Sequence, residues 1–174
     1  YLEALTDCED LDEERRKLFT QRAYLQTLRL SDLLRDIGLV TKIEESPDMI
    51  QVEELCLKEI VDSVLDEFAE KIASRNMNAE NAIPEQLLMT GSPSLMYAVF
   101  RNLVENSYKY AGDGTQIYIN ASPGRCSYYD TGAGVPPEML GTIFERFFRI
   151  PGKTGSDWNE DTGSGLGLSV VRNR

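Results

Sequence analysis

The chain has 174 residues, enough for one substantial domain or a small domain with an appendage, and its 29 acidic against 18 basic residues leave a net charge of -11. That balance argues against a nucleic-acid surface, because phosphate backbones demand a positive field, so an anionic ligand must be held by a local basic cluster or by backbone N–H groups. The lack of any histidine excludes His-based triads, His-ligated metals and the protein-kinase catalytic loop, and no apolar run approaches the roughly 20 residues of a membrane span or reads as a signal peptide.

Taken in chain order, Tyr1 to Leu5 reads as the tail of a helix, and "TDCEDLDEE" as a polar break in which Asp12 can cap a new helix with Glu13 and Glu14 in its first turn. The pattern then stays helical to about Glu45, with Leu25, Leu28, Leu33, Ile37 and Val40 forming one long stripe. Only a stub of a partner helix precedes it, so the spacing predicts pairing with a second copy in a helical bundle rather than packing against the downstream domain. Ser46-Pro47-Asp48 breaks the helix and sets an expected boundary between residues 1–46 and 47–174. Cys8, Cys56 and Cys126 match neither a disulfide framework nor a zinc spacing and read as free thiols of a reducing compartment.

Beyond the boundary "MIQV" reads as a short strand, and Leu57 to Ser74 as a helix with Ile60, Val61, Val64, Leu65, Phe68 and Ile72 on one face. "NAENAI" and "QLLMT" read as strands. A second helix follows, capped at Ser92, with Pro93 at its first position and Gly112 just past its end. "TQIYINAS" and "RCSYYD" read as strands joined by Ser122-Pro123-Gly124, and "PEMLGTIFERFFR" as helical. A polar stretch, a glycine loop and a last helix close the chain. The economical layout is α+β: a mixed or antiparallel sheet with helices on one side, behind the N-terminal helical segment.

Three features carry chemistry. On the helix "SLMYAVFRNLVENSYKYAG", Asn102 and Lys109 fall at about -40° and -60° from Asn106, bordering a stripe of Leu95, Val99, Leu103 and Tyr110. Asparagines bonded to neighbouring backbone would account for this, but an amide oxygen and an ammonium within two turns also suit Mg²⁺ and phosphate oxygens. In "YYDTGAGVPPEM", Asp130 ends an apolar strand ahead of Gly132 and Gly134, so its carboxylate can accept from an amine beside freely approached backbone; calcium loops and ordinary strand exits look similar. In "GSGLGLSVV" a dinucleotide fingerprint would need glycine where Leu168 stands, and the Gly-Lys-Ser/Thr of a P-loop is absent. What remains is a glycine hinge at a helix N-terminus, behind a lid-length segment with Gly152, Gly155 and Trp158 and a basic cluster of Arg146, Arg149 and Lys153.

In this order the three features resemble the ATP-binding domain of sensor histidine kinases, within the superfamily of gyrase, heat-shock chaperone and mismatch-repair ATPases. "NLVENSYKYA" resembles the family's N box, "DTGAGVP" its first glycine box, "IFERFFRI" its phenylalanine box and "GSGLGLSVV" its second glycine box; "LRLSDLLRDIGLVTKIEES" resembles the second helix of the dimerisation and phosphotransfer domain. The resemblance implies a kinase that uses Mg-ATP to phosphorylate a histidine upstream of Tyr1, for relay to the aspartate of a response-regulator receiver domain. It also implies a homodimer through the N-terminal helices, as the cytoplasmic part of a membrane-attached bacterial protein. By position it makes Asn106 the Mg²⁺ ligand, with Lys109 and Tyr110 near the phosphates. Asp130 becomes the adenine-amine acceptor, with Gly132, Gly134 and Val135 in the base pocket, and Arg149 approaches the terminal phosphates. Gly163, Ser164, Gly165, Leu166, Gly167 and Leu168 form the triphosphate clasp, while Phe144, Phe147 and Phe148 anchor the lid, Phe148 beside the nucleotide.

Hydrolysing members of the superfamily place a glutamate where Asn102 stands, and an amide cannot serve as a base, so transfer to a protein acceptor fits better than hydrolysis. Glu105 points about 100° away from Asn106 and is a poor substitute. The family's sheet continues with a helix and two strands after the second glycine box, yet this sequence stops at "VVRNR", and the Pro123 hairpin is short. A related ATPase and a degenerate kinase serving as a dimerisation module stand as the alternatives.

Overall fold

The computed structural model describes residues 12–45, 50–146, 148 and 167–172. The first element is the expected long helix α1 (Glu13–Glu45), opened by Asp12, whose Oδ1 accepts the Arg15 amide at 2.7 Å, an N-cap bond to the third helical position. Of its apolar stripe, Leu25, Leu28 and Ile37 stand exposed and Leu33 is half-buried; Leu18, Leu30 and Leu34 are exposed as well. The stub at Tyr1 to Leu5 and the break at Ser46-Pro47-Asp48 lie outside the described residues.

The strand expected at "MIQV" forms instead at β1 (Glu53–Cys56), pairing antiparallel with β3 (Leu88–Gly91) from Glu53 opposite Gly91 to Cys56 opposite Leu88. This register turns Leu55 into the core and leaves Val52 exposed, so cross-strand pairing outweighs the local apolar run. Helix α2 (Leu57–Ser74) follows at once and buries Leu57, Val61, Val64, Phe68 and Ile72; the expected Ile60 and Leu65 pack on the flank of that face. It ends in a left-handed residue, Asn76 (φ 52°), with the Asn76 amide on the Ala73 carbonyl and the Met77 amide on that of Ile72. That pair of bonds is a Schellman end, and the burial of Met77 beside Ile72 supplies its usual apolar contact.

A three-stranded sheet has the order β2-β4-β5: β2 (Asn78–Asn81) lies parallel to β4 (Gln116–Ser122), and β5 (Arg125–Asp130) runs antiparallel to β4. Ile117, Ile119 and Ala121 point inward to the cluster that α2 and helix α3 (Pro93–Tyr110) complete with Phe68, Phe100 and Val104. On the other face the opposed Tyr118 and Tyr129 rings stack at 4.9 Å. The expected hairpin turn is confirmed, with Gly124 at φ 76° behind Pro123, the positive-φ position such a turn requires.

The stretch "PEMLGTIFERFFR" does not continue as a helix. Only Pro137–Met139 make a 3-10 turn, and the residues to Arg146 form turns, most held by bonds from an amide to the carbonyl three residues back, as for Thr142 to Met139 and Glu145 to Thr142. Gly141 gives up helix propensity in the middle, while Pro136 and Pro137 stand at the start, where a missing donor costs a helix nothing. The last described element is the short helix α4 (Gly167–Arg172), which packs on α3 and touches α1. The α+β layout, helices against one face of a sheet behind an N-terminal helix, is as expected.

Candidate functional site

Helix α3 is turned differently from the expected phase. Phe100, Val104 and Ser107 are its buried line, about 100° to 160° around the helix from Asn106, while Leu95, Val99 and Leu103 are half-buried and Tyr110 is 47% exposed. The face that carries Asn102 meets α4. A Cβ added to Gly167 would lie 3.2 Å from Asn102 Oδ1 and 3.3 Å from its Cγ, so a larger residue there would require the Asn102 side chain to give by a few tenths of an ångström. Asn102 is thereby buried, and the last glycine of "GSGLG" stands on the first asparagine of "NLVEN".

Four residues along, the Asn106 amide Nδ2 is buried with no hydrogen-bond partner among the described residues. Buried polar groups almost always have partners, and this amide is available to a water or to a ligand's oxygens. Half a turn about the Cβ–Cγ bond presents its oxygen instead, so the same group can ligate a hard cation. No group of three or more Cys, Asp or Glu able to hold a metal occurs among the described residues. A divalent ion here would depend on this amide together with a ligand's own phosphate oxygens, which is how Mg²⁺ is commonly bound.

Lys109 does not stand free for phosphates. Its ammonium is 2.7 Å from Glu105 Oε1, Glu105 Oε2 is 3.2 Å from Arg101, and Arg101 Nε is 3.2 Å from Glu67, which also accepts from the Tyr97 hydroxyl. Glu105, set aside as a base for its direction, is therefore the counter-ion of Lys109. The pairing at four residues' spacing was legible as a helical ion pair but not as a competitor for phosphate.

Asp130 ends β5 as expected, and both carboxylate oxygens are engaged. Oδ1 accepts the Gly132 amide at 3.0 Å, and Oδ2 accepts the Ser107 hydroxyl at 2.6 Å. Ser107 lies in the buried line of α3, one residue from Asn106, so this bond ties the strand-end carboxylate to the asparagine helix. The Tyr128 hydroxyl is 2.8 Å from Ser107 Oγ and 3.1 Å from the Leu103 carbonyl. Burial pushes the Tyr128 phenol far above the usual tyrosine range, the Asp130 charge adding to this and the Ser107 contact opposing it, so it remains a donor. Sequence reading missed Ser107 and Tyr128 entirely, because their roles depend on a strand-to-helix contact.

Gly132 abuts the end of α3: an added Cβ would stand 2.7 Å from Ala111 Cα and Cβ. Gly134 has φ 69° with open space around it, and Val135 is half-buried beside it in the chain. Leu168 and Phe148 are half-buried. Phe147, Arg149, Lys153, Gly163, Ser164, Gly165 and Leu166 lie outside the described residues. The arrangement thus brings together Asn102, Asn106, Asp130, Gly132 and Gly167, through α3 as the common element.

Residues 91–174 match the family described as histidine kinase-, DNA gyrase B- and HSP90-like ATPase. Drug sensory protein A of Synechocystis sp. is 31% identical over 189 residues, covering 99% of this chain and 28% of that protein. The solved catalytic domain of the histidine kinase ThkA superposes with a TM-score of 0.55 at 27% identity, over 70% of this chain and 79% of that one. Acinetobacter baumannii histidine kinase AdeS shares the fold over 98% of this chain and 76% of its own, with a TM-score of 0.72 at 19% identity. The chain spans less than half the length of the curated relatives it matches.

Proposed function

We infer, from the membership of residues 91–174 in the histidine kinase-, DNA gyrase B- and HSP90-like ATPase family, that the chain is the ATP-binding catalytic region of a sensor histidine kinase. In this reading residues 47–174 are the nucleotide domain and residues 1–46 belong to a dimerising helical segment. The observation that carries the reading is the pairing on one helix of an orphaned amide, Asn106, with a hydroxyl, Ser107, that anchors a strand-end carboxylate. An acceptor for the adenine amine is then fastened to the same helix that carries a ligand for a phosphate-bound cation.

Asp130 accepts the adenine amine, while Gly132, Gly134 and Val135 border the base. Asn106, with the phosphate oxygens, would hold Mg²⁺, which would supply charge neutralisation for transfer of the γ-phosphoryl group from ATP to an imidazole nitrogen of a histidine outside this sequence, with ADP as the leaving group. Lys109 exchanges Glu105 for a phosphate oxygen without leaving Glu105 unpaired, since Arg101 stays on it. Tyr110, Arg149 and Phe148, with Gly163, Ser164, Gly165, Leu166, Gly167 and Leu168, complete the enclosure of the triphosphate. Transfer fits better than hydrolysis because Asn102, buried under Gly167, offers an amide where a water-activating carboxylate would be needed. The receiver aspartate of a response regulator is the onward acceptor, and a membrane-attached parent is the setting; no helix among the described residues is long and apolar enough to cross a membrane itself.

Titration with Mg-ATP is expected to show saturable binding that Asp130→Asn abolishes, and autophosphorylation is expected from the full-length protein. Binding that Asp130→Asn leaves unchanged would sink the assignment. The exposed line Leu25, Leu28 and Ile37 is proposed to meet a second copy in a helical bundle. Leu28→Asp with Ile37→Asp is expected to convert a dimer to a monomer in sedimentation while the nucleotide affinity stays as it was; a monomer before substitution would refute it.

A further inference from the structure

The contact between Ser107 and Asp130 does more than fasten a strand to a helix. Asp130 is acceptor-only when ionised, so the Ser107 proton must point to Oδ2, and Ser107 Oγ can then only accept from Tyr128, whose single proton is shared between Ser107 at 2.8 Å and the Leu103 carbonyl at 3.1 Å. The relay has one direction: Tyr128 to Ser107 to Asp130. The Gly132 amide fixes the other oxygen. With a donor on each oxygen, rotation of the carboxylate is blocked, and each oxygen keeps one lone pair in a fixed direction.

We propose that Ser107, backed by Tyr128, is a positioning residue that sets the base specificity of the site by holding Asp130 as a fixed acceptor for an exocyclic amine. This rests on the reading of Asp130 as the base acceptor. A carboxylate so held rewards a base with an amine at that position and repels one with a carbonyl there, because two acceptors facing each other leave both unpaired. A carboxylate free to rotate can turn away from the carbonyl, and discrimination falls.

The variants are chosen so that the fold survives. In Ser107→Ala the Tyr128 hydroxyl retains the Leu103 carbonyl at 3.1 Å and is not left unpaired. Tyr128→Phe removes only the reinforcement and leaves Ser107 donating to Asp130. The measurement is the ratio of affinities for Mg-ATP and Mg-inosine triphosphate, which differ at the amine position. Ser107→Ala is expected to lower this ratio about tenfold, the worth of a hydrogen bond to a charged group, with Tyr128→Phe lowering it less. A purely structural role would weaken both triphosphates alike and leave the ratio unchanged, which would overturn the relay alone. Equal binding of the two by the unsubstituted protein would overturn the base reading of Asp130 and the relay with it.

Discussion

Replacing Gly132 with alanine is expected to destabilise the fold by about 2–4 kcal/mol, the upper range for overpacking, and to remove nucleotide binding at the same time. The new methyl would stand 2.7 Å from Ala111 Cα and Cβ and 2.8 Å from its carbonyl oxygen. Carbon atoms do not approach so closely, and two of the three obstacles are backbone, so no rotamer change relieves the clash. Either the exit of β5 or the end of α3 must move. Because the Gly132 amide holds Asp130 Oδ1 and Ser107 of α3 holds Oδ2, either shift pulls the carboxylate away from one of its two donors. Gly134 is the internal control: it has φ 69° but nothing within 4 Å of an added Cβ. Alanine there meets only the left-handed penalty of about 1–2 kcal/mol. Denaturant midpoints should therefore fall further for Gly132→Ala than for Gly134→Ala, and the reverse order would show that the α3 end yields without cost.

What was legible in the sequence follows the range of the forces involved. The face of α2 could be read because Val61, Val64, Phe68 and Ile72 repeat at helical spacing with no competing stripe. On α3 two apolar lines compete, Leu95-Val99-Leu103 and Phe100-Val104-Ser107, and local pattern cannot choose between them. The choice is made by what lies opposite: Phe68 and the sheet residues Ile117 and Ile119 gather the second line into the core, while α4 covers Asn102. Asp130 was singled out not by its own pattern, which ordinary strand exits share, but by its place between the asparagine helix and the glycine loop. Ser107 was not, since a serine inside a helix reads as neutral until the strand beside it is known. Lys109 was legible as a cation near the site, but its present partner, Glu105, was discounted because only its direction relative to Asn106 was weighed. Over the described residues of "PEMLGTIFERFFR" the expected helix gives way to turns, with Gly141 set against a convincing apolar spacing.

Asn106→Ala is expected to separate stability from binding, and the two should move in opposite directions. The buried Nδ2 has no partner among the described residues, and an unsatisfied buried donor costs about 1–3 kcal/mol. Alanine removes that donor and is the better helix former, so the thermal midpoint should stay level or rise. Affinity for Mg-ATP should fall on the order of a hundredfold, at or beyond what losing an outer-sphere partner of a metal costs. Binding of adenosine, which reaches Asp130 but carries no phosphate, should be little changed. A residue retained for packing would give the other pattern, with a lower midpoint and equal losses for both ligands. A polar group that destabilises the empty protein and is repaired by its ligand is what selection for function leaves behind, because the stability cost is tolerable and the lost contact is not. The midpoint of Asn106→Ala is therefore the more telling half of the experiment: a clear drop would mean that the amide has a structural partner and that the cation belongs elsewhere.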